Sequence, residues 1–300
     1  MNIHIKAVVS SLLLIVLVGG SMFAAGARTR TEPVELLVSV DQLQARLGDD
    51  RTLVLDARAY ADHLSGFIPG AVSLPTDDLN RSVQLDNGRE VPRIVQEADE
   101  IIYALQDAGI NHNSRIVIYD QGGATLAPRL FWILEYYGHT NVAILDGGFA
   151  AWQAAGLPTS TEVTDVARGD FVPVPVPERH ADFYYIVSVM GSDSTMICNA
   201  LSEASFADAA IPGSTNLPQA NLFANDGVPL LRHAEVLEQL LHDIGFDRSQ
   251  EIVFYCGAGY AASVDYFVAR LIGLERVRMY DGSLQDWRAR DGQLLPGGGA

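Results

Sequence analysis

Cysteine is scarce in this chain: Cys198 and Cys256 are the 2 in 300 residues. Two thiols could pair in an oxidising compartment, but Cys198 and Cys256 lie in different local contexts and neither reads as part of a disulfide framework; a four-thiolate zinc site is excluded. No histidine pair at ligand spacing accompanies them, so no metal is expected. Positive charge is short as well. Lys and Arg number 20 against 37 Asp and Glu, a formal net charge of −17, which offers no footprint to nucleic acid or to an anionic membrane surface. A phosphate-binding glycine pattern is also lacking: QGGATLAP (121–128) comes nearest and matches none. What the chain does have is 48% hydrophobic residues. That is enough for a buried core, and at roughly 100–200 residues per domain the length suggests two domains.

The N-terminus has the parts of an export signal. Lys6 supplies a short basic region, residues 7–18 are apolar, and Ala25-Gly26-Ala27 has the small-x-small form of a cleavage site. Residues 1–27 are therefore expected to be a signal peptide, with the folded part in the periplasm or secreted. The alternative is an uncleaved anchor, since the apolar and small residues approach the ~20 needed to span a bilayer.

The rest of the chain is a repeat. VLDARAYADHLSGFIPGAVSLP (54–75) aligns without a gap on ICNALSEASFADAAIPGSTNLP (197–218). AGINHNSRIVIYDQGGA (108–124) matches IGFDRSQEIVFYCGAGY (244–260), and LDGGFAAW ending at Trp152 matches YDGSLQDW ending at Trp287. The same landmarks in the same order twice indicate a duplicated domain.

Each copy alternates short β-branched runs with helical stretches. The runs are 53–55, 116–119 and 142–145 in the first copy, and 196–198, 252–255 and 277–280 in the second. Near-continuous apolar runs are expected of parallel strands buried on both faces. Amphipathic segments such as 235–244 and 262–272 lie between them, so the fold class is α/β, each copy a parallel sheet flanked by helices. The expected boundaries are 34–156 for the first domain and 181–295 for the second. Residues 157–180, Pro-rich and without periodicity, read as a semi-extended linker. Trp152 and Trp287 occupy matching helix positions and belong to the core, as does the thiol of Cys198 at a strand end.

Cys256 stands in a different setting. It follows a strand directly, and in open α/β sheets ligands bind beyond the carboxyl ends of the strands. Gly257 and Gly259 permit positive φ, so the loop can curl and aim successive N–H groups inward as an anion-binding nest. The helix beginning near Ala262 adds the positive end of its dipole. Backbone groups of Gly257, Ala258, Gly259, Tyr260 and Ala261 would thus favour a thiolate and meet the substrate.

The IPGAVSLP and LDGGFAAW segments, with YCGAG after a strand, resemble the rhodanese superfamily of sulfurtransferases over about 34–295. The resemblance implies two tandem rhodanese-like domains, the first non-catalytic because Asp120 stands where Cys256 stands in the second. It implies a Cys256 persulfide that takes sulfane sulfur from a small donor such as thiosulfate or 3-mercaptopyruvate. The sulfur would pass to a thiol, a cyanide-like acceptor or a protein. No cofactor is implied.

The CGAG loop is similar to those of the mercaptopyruvate branch, with departures. Ala258 replaces that branch's Ser, and Phe67 and Ala210 replace its His before Ile-Pro-Gly. Asp56 therefore lacks its usual histidine mate, and Asn199-Ala200-Leu201 replaces Asp-Ala-Arg. Without the arginine, weak turnover of both anionic donors is expected, with persulfide, polysulfide or protein-borne sulfur preferred. The alternative function is a catalytically weak binding protein that has kept the fold. Phosphatase chemistry is discounted, because 257–263 contains no Arg to clamp phosphate. His63 is expected to be a solvated loop residue. Arg58 is expected either to face the interdomain cleft or to pair with Asp56.

Overall fold

The computed structural model describes residues 35–224 and 227–297. The expected signal segment lies outside the described residues, and no described helix is long and apolar enough to cross a membrane. The described residues form twelve strands: β1 (Leu37–Val38), β2 (Thr52–Asp56), β3 (Val72–Ser73), β4 (Asn80–Gln84), β5 (Glu90–Val95), β6 (Arg115–Tyr119), β7 (Val142–Leu145), β8 (His180–Ala181), β9 (Thr195–Asn199), β10 (Thr215–Asn216), β11 (Glu251–Tyr255) and β12 (Val277–Tyr280). Two five-stranded parallel sheets run β3-β2-β6-β7-β1 and β10-β9-β11-β12-β8, the same order in each copy. All six apolar runs read from the sequence lie inside central strands of these sheets. The α/β architecture expected from them is the one observed.

Strand alternation sorts the side chains between cores. In the first copy Val54, Val117 and Tyr119 face an outer core with Trp152, while Leu55, Ile116 and Ile118 face inward. The second copy repeats this, with Ile197, Val253, Tyr255 and Trp287 outward and Cys198, Ile252 and Phe254 inward. The two inner faces share one continuous core. At its centre, helix Leu126–Tyr136 packs on helix Ala261–Leu271. Residues 127–135 of one and 262–269 of the other are buried, so both helices are enclosed on all sides. Phe131 and Phe267 meet edge to face at 4.8 Å, each 11 residues beyond its copy's Asp120 or Cys256.

The copies differ in one element. The first carries an antiparallel hairpin, β4–β5, which leans on the helix Ser283–Ala289 of the second copy. Among the described residues, the corresponding stretch of the second copy has only an isolated bridge between Phe223 and Leu231. Residues 157–180 run along the first copy, with the N–H groups of Val174 and Val176 donating to the carbonyls of Tyr137 and Tyr136.

Candidate active site

Cys256 sits at the carboxyl end of β11, the middle strand of the second sheet. The residue is 2% exposed. The loop after it is fastened by residues 283–285. Ser283 Oγ accepts from the N–H groups of Cys256 (3.0 Å) and Gly259 (3.1 Å). The carbonyls of Cys256 and Gly257 in turn accept from Leu284 and Gln285, each at 3.0 Å. Gly259 adopts φ +78°, and a Cβ there would lie 2.7 Å from the Asp281 carbonyl, so only glycine fits. Gly257 differs from expectation: its φ is not positive and its surroundings are open. One glycine, not two, makes the curl.

The N–H groups of Gly257, Ala258, Tyr260 and Ala261 have no acceptor among the described residues. They border the cysteine at the N-terminus of an 11-residue helix, an arrangement suited to an anion. Ser283 was not foreseen. Its only sequence signal is that it occupies the place of Gly148 in the aligned DGGF and DGSL segments.

In the first copy a carboxylate stands at the equivalent loop and takes one of the corresponding N–H groups, that of Gly122. Asp120 is buried, and its carboxylate accepts from Gly122 N–H at 2.8 Å and Ala127 N–H at 2.9 Å. Burial pushes its carboxyl up, and these N–H bonds oppose the shift. The space beside it is a slot of about 30 Å³, lined in part by Phe223, Pro229 and Leu231 of the second copy. By contrast, a cleft of about 460 Å³ opens beside the Cys256 loop, with Ala261, Leu201 and Gln219 in its wall. Cys256 is not part of that wall, and the one charged residue in it is Glu203.

The first copy also supports the Cys256 loop directly. Arg129, wholly buried, reaches across to Asp281 at 2.6 Å, and its Nη2 donates to Asn80 Oδ1 at 3.0 Å. Asp281 Oδ2 accepts from Val95 N–H of β5 at 2.9 Å. The Tyr260 hydroxyl donates to Asp77 and accepts from Asn80 Nδ2. Burial, reinforced by Asp77, pushes that hydroxyl up to about 12. Arg129 escaped the sequence reading because nothing local marks an arginine in an apolar helix as an interface residue.

Three expectations on neighbouring residues need correction or choice. His63 is buried, not solvated; its Nδ1 lies 2.9 Å from Asp56 Oδ2 and its ring stacks on Phe67 at 3.9 Å. Asp56 thus has a histidine mate after all, supplied from another position. Arg58 does not face the cleft: it donates to both Asp56 oxygens (2.9 and 2.6 Å) and to the Gly66 carbonyl. Burial opposes ionisation of Asp56, but Arg58, His63 and Tyr119 hold its carboxyl below the usual range. This network locks the first copy and offers nothing to a substrate. In the second copy Asn199 keeps only the backbone part of the motif, accepting from Leu201 N–H at 2.8 Å. Cys198 is wholly buried, and burial pushes its thiol well up. The two cysteines are not bonded, and no cluster of metal-ligating side chains occurs among the described residues.

Comparison with known proteins agrees with this architecture. The rhodanese-like domain model matches twice, at residues 39–155 and 189–290. The chain belongs to the rhodanese-like family. Among its relatives, 3-mercaptopyruvate sulfurtransferase of Escherichia coli K12 is 25% identical over 274 residues, covering 84% of this chain and 95% of the relative. The sulfur carrier protein TtuD of Thermus thermophilus is 27% identical over 276 residues, covering 84% and 93%. The crystal structure of the E. coli enzyme SseA superposes with a TM-score of 0.73 at 25% identity, over 82% of this chain and 98% of that one. This rhodanese-like chain is accordingly of the sulfurtransferase type, with one copy keeping a cysteine at the nest and the other a carboxylate.

Proposed function

We propose that the protein is an exported sulfurtransferase that carries sulfane sulfur as a persulfide on Cys256, with the domain at 34–156 non-catalytic and that at 181–295 catalytic. One observation carries this reading: the Ala258 N–H beside Cys256 has no acceptor among the described residues, nor do those of Gly257, Tyr260 and Ala261, whereas the first-copy counterpart of Ala258, Gly122, donates its N–H to the Asp120 carboxylate. In the first half-reaction the Cys256 thiolate attacks the donor's outer sulfur. A bond forms between Sγ and that sulfur as the donor's own bond to it breaks, and the electron pair leaves with the departing group. From thiosulfate that group is sulfite; from 3-mercaptopyruvate it is the enolate of pyruvate, which takes up a proton. In the second half-reaction a thiolate, cyanide or protein-borne nucleophile attacks the terminal sulfur and restores the Cys256 thiolate. The negative charge stays within reach of the loop N–H groups throughout, so the nest serves both halves. The name of the Thermus relative, a sulfur carrier protein, supports sulfur carried on the protein itself. Export is inferred from the apolar segment and small-residue site at the N-terminus.

A second reading, a binding protein with little turnover, draws on the cleft wall, where Leu201 stands and Glu203 is the one charge. Intact-mass analysis separates the two. The sulfurtransferase gains one sulfur on exposure to thiosulfate, 3-mercaptopyruvate or polysulfide, and cyanide removes it. No gain with any of these donors contradicts the proposal.

A further inference from the structure

Arg93 occupies an odd position. It lies in β5, where Val91 pairs with Val83 and Ile94 with Arg81. Two residues, Pro92 and Arg93, therefore oppose the single Ser82, which is a β-bulge. Arg93 takes φ +59° there, a left-handed conformation that glycine adopts without strain and arginine does not. Bulges of this kind commonly re-aim a side chain beside a functional site.

Here the bulge is fastened to the Cys256 loop on both sides. The Pro92 carbonyl accepts from Gln285, whose own N–H donates to the Gly257 carbonyl. Two residues on from Arg93, Val95 N–H donates to Asp281, whose carbonyl abuts Gly259. The Arg93 guanidinium itself stands over the Tyr260 ring, 5.6 Å from its centroid. These contacts tie the bulge to the Cys256 loop and set the Arg93 guanidinium against Tyr260, whose own N–H is one of the free groups of that loop. The side chain is exposed, and its guanidinium has no carboxylate or hydrogen-bond partner among the described residues. The other cation at this loop, Arg129, is buried and paired with Asp281. A guanidinium seated on an aromatic face keeps its N–H edge open to an anion.

We propose that Arg93, from the first domain, is the anion-binding residue of the Cys256 site. It would receive the charged end of a small donor such as the sulfonate of thiosulfate or a carboxylate. This rests on the reading of Cys256 as the reacting thiol, and it gives the strained bulge a purpose. It also reconciles a cleft wall without a cation with donors that carry negative charge. Arg93 is exposed and alone, so the grip is weak.

The test uses two alkylating agents of nearly equal size, iodoacetate and neutral iodoacetamide. In each, Sγ forms a bond to carbon as iodide leaves. The rate of each at Cys256 is followed by peptide mass, together with KM for thiosulfate. Arg93→Gly suits the φ of +59°, so the fold should be kept and melting should not fall. In this variant the iodoacetate-to-iodoacetamide rate ratio should drop about three- to tenfold, as expected for loss of one exposed charge-assisted contact. KM for thiosulfate should rise similarly, and Arg93→Lys should restore part of both. An unchanged ratio in a folded Arg93→Gly protein overturns the proposal. A lowered ratio in a protein that forms no persulfide from any donor upholds the anion site and overturns the sulfurtransferase reading instead.

Discussion

Asp120 and Cys256 occupy the same place in two copies of one strand–loop–helix unit, and each loop has a use for negative charge. In the first copy the protein supplies that charge itself: the Asp120 carboxylate takes the N–H groups of Gly122 and Ala127, and neighbouring side chains reduce the site to a slot of about 30 Å³. In the second copy a serine hydroxyl, not a carboxylate, takes the N–H groups of Cys256 and Gly259. Four other N–H groups of that loop are left free. The difference teaches that the nest is a property of the shared backbone. Whether it is structural or chemical depends on who brings the anion. A further lesson is that the first copy bears on the second copy's site, since its Arg129, Val95 and Asp77 fasten the other copy's loop.

The comparison extends into the two central helices. Arg129 and Asp265 each lie nine residues beyond their copy's Asp120 or Cys256. Arg129 and Asp281 form an ion pair by proximity across the interface, without a hydrogen bond between them, whereas both oxygens of the buried Asp265 have neither kind of partner among the described residues. Arg129→Leu should therefore have the largest effect on stability. It leaves Asp281 buried without its cation, which costs about 3–5 kcal/mol for a broken buried pair. Urea unfolding measures this. A loss below about 1 kcal/mol would mean the interface does not depend on the pair.

Asp265 should give a smaller effect of opposite sign. Burial pushes its carboxyl well above the usual range, so the folded protein holds the proton there. The stability from this protonated form is fully present below the unfolded value near ~3.9 and is lost as pH rises through the folded value. Asparagine copies the neutral acid's shape without the proton. Asp265→Asn should match the natural protein near pH 4 and exceed it by about 1–3 kcal/mol at the alkaline end, the scale of burying one unpaired polar group. Parallel pH–stability curves for the two proteins would contradict this.

The smallest effect concerns the cleft wall. Leu201→Arg places a cation where Glu203 is now the one charge. It should raise kcat/KM for an anionic donor about tenfold, the equivalent of one charged hydrogen bond of ~1.5 kcal/mol. Steady-state kinetics with thiosulfate and 3-mercaptopyruvate decide it, and no gain with either donor would remove Leu201 from the donor's path.

Much of this was legible in the sequence because the physics involved is local. The six apolar runs could only be buried strands, and a cysteine after one of them had to stand at a sheet's ligand-binding end. The two-residue strands β1, β3, β8 and β10 are too short to show a period. The β4–β5 hairpin was hidden by its polar alternation and by Pro92, which reads as a strand breaker until the bulge is seen. Ser283, Arg129 and Arg93 were invisible for a different reason. Each acts on the Cys256 loop from a distant part of the chain, and only the packed structure brings them together. His63 and Gly257 were misjudged because burial and φ at single loop positions depend on what packs over them.

The central claim is that the sulfur rides on Cys256 while the carboxylate copy supports without reacting. The most direct measurement loads three proteins with thiosulfate or polysulfide: the natural protein, Cys256→Ser and Asp120→Asn. It then locates any added sulfur by peptide mass before and after cyanide. The account predicts one cyanide-labile sulfur on Cys256 in the natural protein, about the same yield in Asp120→Asn, and none in Cys256→Ser. Sulfur found on Cys198, or loss of all loading in a folded Asp120→Asn protein, would contradict it.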